Sequence, residues 1–361
     1  MTDPLRILQL GPLPPPVGGM ATVIEGLTDE QRKQHRVRVL NNVKTTPEDR
    51  ALWQGVVAQL RLLSRLAWLC LSWRPEFVHI HTCSWGTFWR NAVDVLLART
   101  LGRRVVLHIH GAEFHKFLAS LSARRAALAR RVFGLSHAVI VLGDQWAEII
   151  APWCPQGRVH VVPNGVPVPE QTASGAPDGL PVILCMANYE RRKGQVDLIS
   201  ALAQMAQPSR LLLHGFESES GQRARLQAHA DALGVADRVS LPGPVMGEAK
   251  QAAVMAADLF CLPSYDEGLP MSMLEAMAAG VAVVVTSVGA IPEALDANVD
   301  GIIVPPGDVE ALTGALDGLL VDSDCRARIA AGGRARVIKD YSVARVARDL
   351  DAIYDALMKS A

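Results

Sequence analysis

The segment "LFCLPSYDEGLPMSMLEAMAAGVAVVVT" (residues 259–286) contains the pattern from which the fold class is predicted. It begins with a continuous apolar run, passes through a Gly-Leu-Pro loop into a helical pattern, and ends in a second apolar run. Continuous Val, Ile and Leu runs are typical of strands that are buried on both faces, as in a parallel sheet covered by helices. The segment therefore predicts a strand–helix–strand unit of an α/β protein.

The same alternation of apolar runs and helical patterns continues along the chain. The stretch 164–181, "NGVPVPEQTASGAPDGLP", is rich in Pro, Gly and Ser and divides the runs into two series, as an interdomain linker does. We predict two doubly wound, Rossmann-like parallel-sheet domains that face across a cleft, with ligands at the carboxyl ends of the strands. The predicted strands are residues 6–11, 37–41, 77–81, 105–110, 138–142 and 159–163, then 182–187, 211–215, 239–243, 259–263, 282–286 and 301–305.

The formal net charge of +0 for the 361 residues conceals opposite charges in the two halves. Residues 1–166 contain 20 Lys and Arg against 11 Asp and Glu, whereas residues 167–361 contain 16 against 25. A basic half predicts an anionic partner, which is either nucleic acid or a membrane surface. Nucleic acid is disfavoured, because aromatic residues do not alternate with basic ones and the second half is acidic.

The cysteines and the apolar runs indicate a cytoplasmic chain. Six cysteines are scattered without a C-x-x-C pair, so neither a disulfide framework nor a zinc knuckle is expected. The first residues lack the charged region and the apolar core of a signal peptide. No apolar run is expected to reach the about 18 to 20 residues that span a bilayer.

Two loops carry residue types that bind phosphate. The first, "GPLPPPVGGMA" (11–21), places Gly18 and Gly19 before a helix start, where helix amides favour an anion. A tight turn with one glycine at positive φ is the alternative. The second loop, "NYERRKG" (188–194), places cations after a strand, where they suit a phosphate unless they form only a solvated turn.

Glu267 and Glu275 lie on either side of Pro270, which is predicted as the first residue of a helix. Acids near a helix N-terminus complement its dipole, but this effect fades beyond the first turn and explains Glu275 poorly. The free amides from Met271 to Leu274 form an anion site. Carboxylates beside a bound phosphate repel it unless they bind hydroxyl groups instead. The pattern therefore predicts a nucleotide-sugar, which carries hydroxyl groups on both sides of a diphosphate.

These segments together resemble the retaining glycosyltransferases of family 4, which have the GT-B fold, in particular those of exopolysaccharide, capsule and lipopolysaccharide synthesis. The resemblance covers nearly the whole chain. It implies an acceptor-side domain over residues 1–168, on which a last helix at about 345–361 packs, and a nucleotide-sugar-binding domain over residues 169–344. The motifs that carry it are "PPPVGGMA" (14–21), "HIHGAEF" (108–114), "VVPNGV" (161–166), "NYERRKG" (188–194), residues 256–286, "VGAIPE" (288–293), "DGIIVPPGD" (300–308) and residues 341–357.

The resemblance also implies roles for individual residues. Glu275 is expected to bind the ribose, and Glu267, with the amides of Gly268 to Met271, the donor sugar. Lys193 and the Gly18–Gly19 amides are expected to neutralise the diphosphate, and His110 to lie beside the transferred sugar. The expected catalytic residues are thus His110, Lys193 and Glu267, and the expected donor-binding residues are Gly18, Gly19, Asn188, Arg192, Lys193, Gly268, Leu269, Pro270, Met271, Ser272, Leu274 and Glu275.

One position departs from the family pattern. The family often has Gly-Arg where this chain has Ala187 and Asn188, so the second phosphate cation is not assigned. Arg191 or Arg192 replaces it from the same turn, or Asn188 donates a hydrogen bond instead.

The expected reaction is the transfer of a hexose, with retention, from a nucleotide-diphosphate sugar to a saccharide or polyprenyl-linked saccharide. Cations and amides aimed at the leaving diphosphate are expected to contribute most to catalysis, with no metal and no other cofactor. The acceptor side is predicted at His81, Trp85 and Glu113, near the Trp-rich loop 82–91. The alternatives are a nucleotide-sugar epimerase of the same fold, which the spacing of the two glutamates disfavours, and a glycosyltransferase with a small-molecule acceptor.

Two further patterns allow two interpretations each. Two predicted strands carry histidines at alternate positions, namely His79, His81, His108 and His110. These four residues form a zinc site in the first interpretation. In the second, which we favour, His81 and His110 end their strands, while His79 and His108 are hydrogen-bonded in the sheet. Residues 52–75 read as an amphipathic helix with tryptophans and arginines, and residues 122–134 as a second basic stretch. Both are either surface helices or a docking site on an anionic membrane at the inner face of the cell, where each basic residue contributes about 1 kcal/mol.

Overall fold

The computed structural model describes residues 4–14, 18–43, 52–176 and 179–360. Contacts between residues divide the chain into two compact units, Met1–Gly165 with Val343–Ala361, and Val166–Ser342. The chain passes from one unit to the other a few residues before the predicted domain boundaries at 168 and 344. Each unit contains a six-stranded sheet whose paired strands are all parallel. The predicted α/β class with two doubly wound parallel sheets is confirmed.

The first unit has the strand order β2-β1-β3-β4-β5-β6. Its elements are β1 (Arg6–Gly11), α1 (Gly19–Gln31), β2 (Arg36–Asn41), α2 (Leu52–Ser72), β3 (Phe77–Thr82), α3 (Gly86–Thr100), β4 (Arg104–Ile109), α4 (Phe114–Ala119), α5 (Ala123–Leu135), β5 (Ala138–Val141), α6 (Asp144–Ile150) and β6 (Val159–Val161), with the final helix of the chain.

The second unit has the strand order β12-β11-β10-β7-β8-β9. Its elements are β7 (Val182–Met186), α7 (Gln195–Gln204), β8 (Arg210–His214), α8 (Gln222–Ala232), β9 (Val239–Ser240), α9 (Gly247–Met255), β10 (Leu259–Leu262), α10 (Met271–Ala278), β11 (Ala282–Thr286), α11 (Ile291–Ala294), β12 (Ile302–Val304), α12 (Val309–Val321) and α13 (Ser323–Arg336). A π-helical turn, Val337–Tyr341, then leads to α14 (Val343–Lys359), which belongs to the first unit.

Helix α14 completes the core of the first unit. Its buried residues Val346, Leu350 and Tyr354 recur every four positions, so they form one apolar stripe along the helix. The stripe packs against α1 and the sheet, and the ring of Tyr354 lies 4.7 Å from that of Phe77 on β3. The helix is therefore part of the core of the first unit and not a surface appendage.

Helix α2 corrects the expectation that no apolar segment reaches membrane-spanning length. Residues Trp53–Ser72 form a continuous helix of 20 residues with a mean hydropathy of 1.2, which meets the requirements of a crossing by length and composition alone. Only 11% of this window is buried inside the protein. Arg61 and Arg65 interrupt the apolar residues of this segment, so the sequence shows no continuous apolar run there.

The described residues of the first unit include a buried acid, Asp94 on α3, whose carboxylate oxygens have no hydrogen-bond partner. Burial raises the pKa of Asp94 to about 7, and the charge of Arg90 opposes this shift. The folded state thus keeps a proton that the unfolded chain, with a pKa near 3.8, releases at lower pH. Folding stability is therefore lost as the pH rises between these two values.

We expect the free energy of unfolding to fall by up to about 4 kcal/mol across this window because of Asp94. The substitution Asp94→Asn should remove that decrease and make the protein more stable than the wild type at pH 8. Urea unfolding at several pH values measures the difference, with Asp231→Asn, at an exposed acid of α8, as the control. Parallel pH profiles for the wild type and Asp94→Asn would contradict the prediction.

Candidate active site

Lys193 and Glu267 form an ion pair at the carboxyl ends of two neighbouring strands of the second unit. Lys193 follows β7 and Glu267 follows β10, and these strands are paired in the sheet. Lys193 Nζ lies 2.6 Å from Glu267 Oε1, which also accepts a hydrogen bond from Ser264 Oγ at 2.7 Å. The Glu267 side chain is only 7% exposed. Two residues that the sequence analysis assigned to one ligand thus contact each other directly.

Two glycines hold the loop of Glu267 in place. Gly194 has a φ of +68°, and a Cβ atom there would lie 1.9 Å from the carbonyl oxygen of Pro263. Gly289 has a φ of +57°, and its Cβ atom would lie 2.0 Å from the carbonyl oxygen of Glu267. Only glycine permits both this backbone conformation and this contact. Both glycines lie within the motifs "NYERRKG" and "VGAIPE", in the loops that follow β7 and β11, and this place is the signal that could have revealed their role.

Helix α10 begins one residue later than predicted. Pro270 has a ψ of 121°, so it is extended and precedes the helix, which starts at Met271. The amide of Leu274 donates to the carbonyl oxygen of Pro270 at 3.3 Å, so it is not free for an anion, contrary to the prediction. The amides of Met271, Ser272 and Met273 lie in the first turn, where a helix offers no acceptor. An anion site at this helix therefore consists of these three amides.

Glu275, the fifth residue of α10, is paired with a lysine that the sequence analysis missed. Lys250 on α9 places its Nζ 2.6 Å from Glu275 Oε1. The two side chains are 24% and 16% exposed. Nothing in the local sequence of α9 links Lys250 to Glu275, because the contact joins side chains of two different helices. Each glutamate that flanks the start of α10 thus has a lysine counter-ion.

The arginines of the basic turn between β7 and α7 do not all face a possible ligand site. Arg192 Nε lies 2.6 Å from Glu190 Oε2, and Arg192 also donates to the carbonyl oxygen of Asp266 at 3.2 Å. Arg192 therefore ties two loops together, while Arg191 and Asn188 are exposed. Of the three candidates for a second phosphate contact, Arg191 and Asn188 are more exposed than Arg192, and the assignment stays a prediction.

The glycine loop of the first unit is described in part, since Pro15, Pro16 and Val17 lie outside the described residues. Gly18 is extended, with a φ of −155°, and Gly19 is the first residue of α1. Neither has a positive φ, so the alternative of a tight turn with a left-handed glycine is wrong. A Cβ atom on Gly18 would meet no atom of the described residues within 4 Å.

A chain of hydrogen bonds fixes His110. Gln9 donates through Nε2 to Gln31 Oε1 at 2.8 Å, so its Oε1 accepts from His81 Nε2 at 2.7 Å. His81 Nδ1 then lacks a proton and accepts from His110 Nε2 at 2.9 Å. Burial lowers the pKa of His110 to about 4, although a hydrogen bond with Asn164 raises it. His110 is therefore a neutral imidazole with its proton on Nε2.

His81 itself is fully buried, with both ring nitrogens bonded to protein side chains. The structure therefore does not bring His81 to a surface where the predicted acceptor could contact it. Its contacts orient His110 instead.

His79 and His108 are hydrogen-bonded inside the sheet, as predicted. His79 Nδ1 lies 2.6 Å from the hydroxyl of Tyr354, and His79 Nε2 lies 3.2 Å from His108 Nδ1. Burial lowers the pKa of His79 to about 3, so the ring is neutral. Nitrogens of His79, His81 and His108 lie within 4.8 Å of one another, as a metal site requires. A metal ion there would have to replace these hydrogen bonds.

Trp85 and Glu113 lie on neighbouring loops of the first unit, after β3 and β4. Trp85 is 47% exposed and has a φ of +59°, which is a strained conformation for a bulky residue. A Cβ atom on Gly111 would lie 3.1 Å from the backbone nitrogen of Ser84, so the two loops touch. The side chain of Glu113 is 42% exposed and pairs with Lys116 at 3.3 Å. Both predicted acceptor residues are thus accessible at the carboxyl ends of the strands.

Two family models match consecutive parts of the chain. The model "Glycosyltransferase Family 4" matches residues 17–169, and the model "Glycosyl transferases group 1" matches residues 169–336. Together with two parallel-sheet units and the residues at their strand ends, these matches define a glycosyltransferase of the GT-B class. The chain belongs to the family 4 glycosyltransferases.

Individual proteins of known sequence or structure share 18 to 27% of their residues with this chain in the three comparisons that follow. The chain is 27% identical to the 2-deoxystreptamine N-acetyl-D-glucosaminyltransferase of Streptomyces fradiae, over 80% of this chain and 73% of that one. It is 25% identical to WcaL of Salmonella typhimurium, described as a colanic acid biosynthesis glycosyltransferase, over 63% of this chain and 59% of that one. Among solved structures, Anabaena Alr3699/HepE in complex with UDP and glucose has a TM-score of 0.76 and 18% identity, over 98% of this chain and 100% of that one.

Proposed function

We propose that this protein transfers a hexose, with retention, from a nucleotide-diphosphate sugar to a saccharide or polyprenyl-linked saccharide of a bacterial surface polysaccharide. The observation that carries the proposal is the pair of lysine–glutamate contacts on either side of the α10 N-terminus, Lys193 with Glu267 and Lys250 with Glu275. Carboxylates beside a diphosphate repel it, and a lysine at each carboxylate offsets that repulsion. Each glutamate then remains able to accept hydrogen bonds from sugar hydroxyl groups.

The donor is bound in this proposal by the second unit. The diphosphate lies on the amides of Met271, Ser272 and Met273, where a helix N-terminus favours an anion. Glu275 accepts from the ribose hydroxyl groups and Glu267 from those of the hexose. Lys193, which already contacts Glu267, turns its charge to the diphosphate as negative charge develops there. The UDP and glucose held by HepE, a protein of the same fold, make a UDP-sugar the first donor to test.

The reaction in this proposal uses the donor's own phosphate. As the bond between the anomeric carbon and the diphosphate oxygen breaks, the acceptor hydroxyl attacks the same face of the sugar and its proton passes to the leaving phosphate. Lys193 and the amides stabilise the diphosphate, so no metal ion is required. His110, neutral and held by His81, supplies an uncharged polar edge beside the sugar and does not titrate at ordinary pH.

Two separate observations support a saccharide as the acceptor. WcaL is named for colanic acid, a polysaccharide, and Trp85 offers an exposed aromatic face of the kind on which sugar rings stack. The Streptomyces relative acts on 2-deoxystreptamine by name, so a small-molecule acceptor is the second candidate.

Thermal unfolding with UDP-, GDP- and ADP-sugars tests the donor. One nucleotide-sugar at about 100 times its dissociation constant should stabilise the protein by about 2.7 kcal/mol, whereas Glu275→Ala should lose most of this effect. Glu310→Ala, at an exposed acid of α12, is the matched control and should keep it. No stabilisation by any of the sugars, or equal stabilisation in both variants, would refute the donor site.

Product analysis separates the enzyme classes. A transferase should release the free nucleotide in proportion to added acceptor, and the anomeric proton coupling in the NMR spectrum of the product should match that of the donor. An inverted coupling would refute retention. Formation of an isomeric nucleotide-sugar without acceptor would identify an epimerase instead.

A further inference from the structure

Helix α2 exposes a stripe of large apolar side chains along one face. Its exposed apolar residues are Trp53, Val56, Leu60, Trp68 and Leu71, each between 58% and 65% exposed. At 100° per residue these positions fall within about a third of the helix circumference. Arg61 and Arg65 are exposed along one edge of the stripe. A stripe of this size on a soluble surface marks an interaction site.

The opposite face of α2 packs against the rest of the first unit. Leu66 and Cys70 are fully buried, and the helix packs against α3. A helix that keeps these contacts cannot cross a bilayer, because lipid would have to surround it on all sides. Although α2 is long enough to cross a membrane, it therefore lies along the surface of the protein, with its apolar stripe facing outward.

The charges of the neighbouring helices indicate what covers the stripe. Helix α3 packs between α2 and α5, and exposes Val93 and Leu96, while α5 exposes Leu128. The three helices expose six arginines, two on α2 and four on α5, and their single acid, Asp94, is buried. We name the outer side of α2, α3 and α5 the three-helix surface. It combines exposed apolar side chains with exposed arginines and no exposed acid, and so matches an anionic surface with an apolar interior.

We infer that the three-helix surface docks on an anionic lipid bilayer, with α2 parallel to the membrane. The leucines and valines enter the boundary of the acyl chains, the tryptophans lie at headgroup level, and the arginines contact lipid phosphates. A second copy of the chain is a poor occupant, because a symmetric contact would bring the same arginines against each other without an acid between them. Docking there brings the first unit, which carries Trp85 and Glu113, to membrane-bound material.

Vesicle flotation of the full chain tests this inference. The protein should float with vesicles of phosphatidylglycerol and phosphatidylcholine in equal parts, and remain behind with phosphatidylcholine alone or at high salt. The double variant Leu60→Ser and Leu71→Ser should bind at least about tenfold more weakly. Leu233→Ser with Val321→Ser, at exposed apolar residues of the second unit, is the matched control and should bind as the wild type does.

A second pair of variants tests how much the arginines contribute to vesicle binding. Arg124→Gln with Arg125→Gln on α5 should also weaken vesicle binding about tenfold, whereas Arg223→Gln with Arg225→Gln on α8 should not. Glu275→Ala should bind vesicles normally, so the loss of donor binding and the loss of docking are distinguishable. Three results would overturn the inference: vesicle binding unaffected by the α2 and α5 variants, resistance to alkaline extraction, which indicates a spanning helix, and a dimer in solution that the α2 variant dissociates without any vesicle binding.

Discussion

Replacement of Lys193 by methionine should lower kcat by about 10²- to 10³-fold, because in the proposed reaction it removes a preorganised cation from the position where negative charge develops. Lys193 Nζ lies 2.6 Å from Glu267 Oε1 in a site that is largely shielded from water, so solvent cannot replace the lost charge. Initial rates of nucleotide release under saturating donor and acceptor measure the effect. Lys339→Met, at an exposed lysine of the second unit, should leave the rate unchanged.

A double variant separates catalysis from folding. Lys193→Met alone leaves the Glu267 carboxylate buried without its counter-ion, which costs about 3–5 kcal/mol of stability when a buried pair is broken. Lys193→Met with Glu267→Gln removes both charges and should recover much of that stability while activity stays low. Recovery of activity together with stability would show that Lys193 acts only as a structural partner of Glu267.

The substitution Gly194→Ala should destabilise the second unit by about 3 kcal/mol or more and abolish donor binding. Two penalties add at this position, a positive φ and a Cβ atom placed 1.9 Å from the carbonyl oxygen of Pro263. Relief requires the loop after β7 to move away from the loop after β10. That movement separates Lys193 from Glu267, so binding should suffer together with stability.

Gly234 provides a matched control for Gly194. Its φ of +67° is almost the same, and a Cβ atom there would meet no atom within 4 Å. Gly234→Ala should therefore cost only the left-handed penalty of about 1–2 kcal/mol and leave donor binding intact. Chemical denaturation and nucleotide-sugar titration of both variants measure the difference. Equal losses in the two variants would contradict the close contact between the loops.

The sequence was sufficient to predict the strands, because the central ones are short runs whose burial on both faces requires continuous apolar residues. The strands of the first unit agree with prediction within two residues, while β9 ends at Ser240 rather than at residue 243. Pro242 cannot donate to a sheet and follows closely, which explains the early end. Helix α10 began one residue late for a similar local reason, the extended ψ of Pro270.

The side-chain partners of the site were not predictable in the same way. Lys250 and Glu275 belong to different helices, and no repeat or spacing in the sequence relates them. The order Gln9–His81–His110 crosses three segments of chain, and only the registers of β1, β3 and β4 bring its members together. Motifs located the loops of the site, whereas the charge balance and the proton positions depend on tertiary contacts.

The return of α14 to the first unit has a consequence for synthesis on the ribosome. Tyr354, which covers Phe77 and bonds to His79, is translated only after the whole of the second unit. The nascent first unit therefore exposes part of its apolar core while the second unit folds. A helix that is translated after the second unit thus closes the core of the first unit, so the order of folding is not the order of translation.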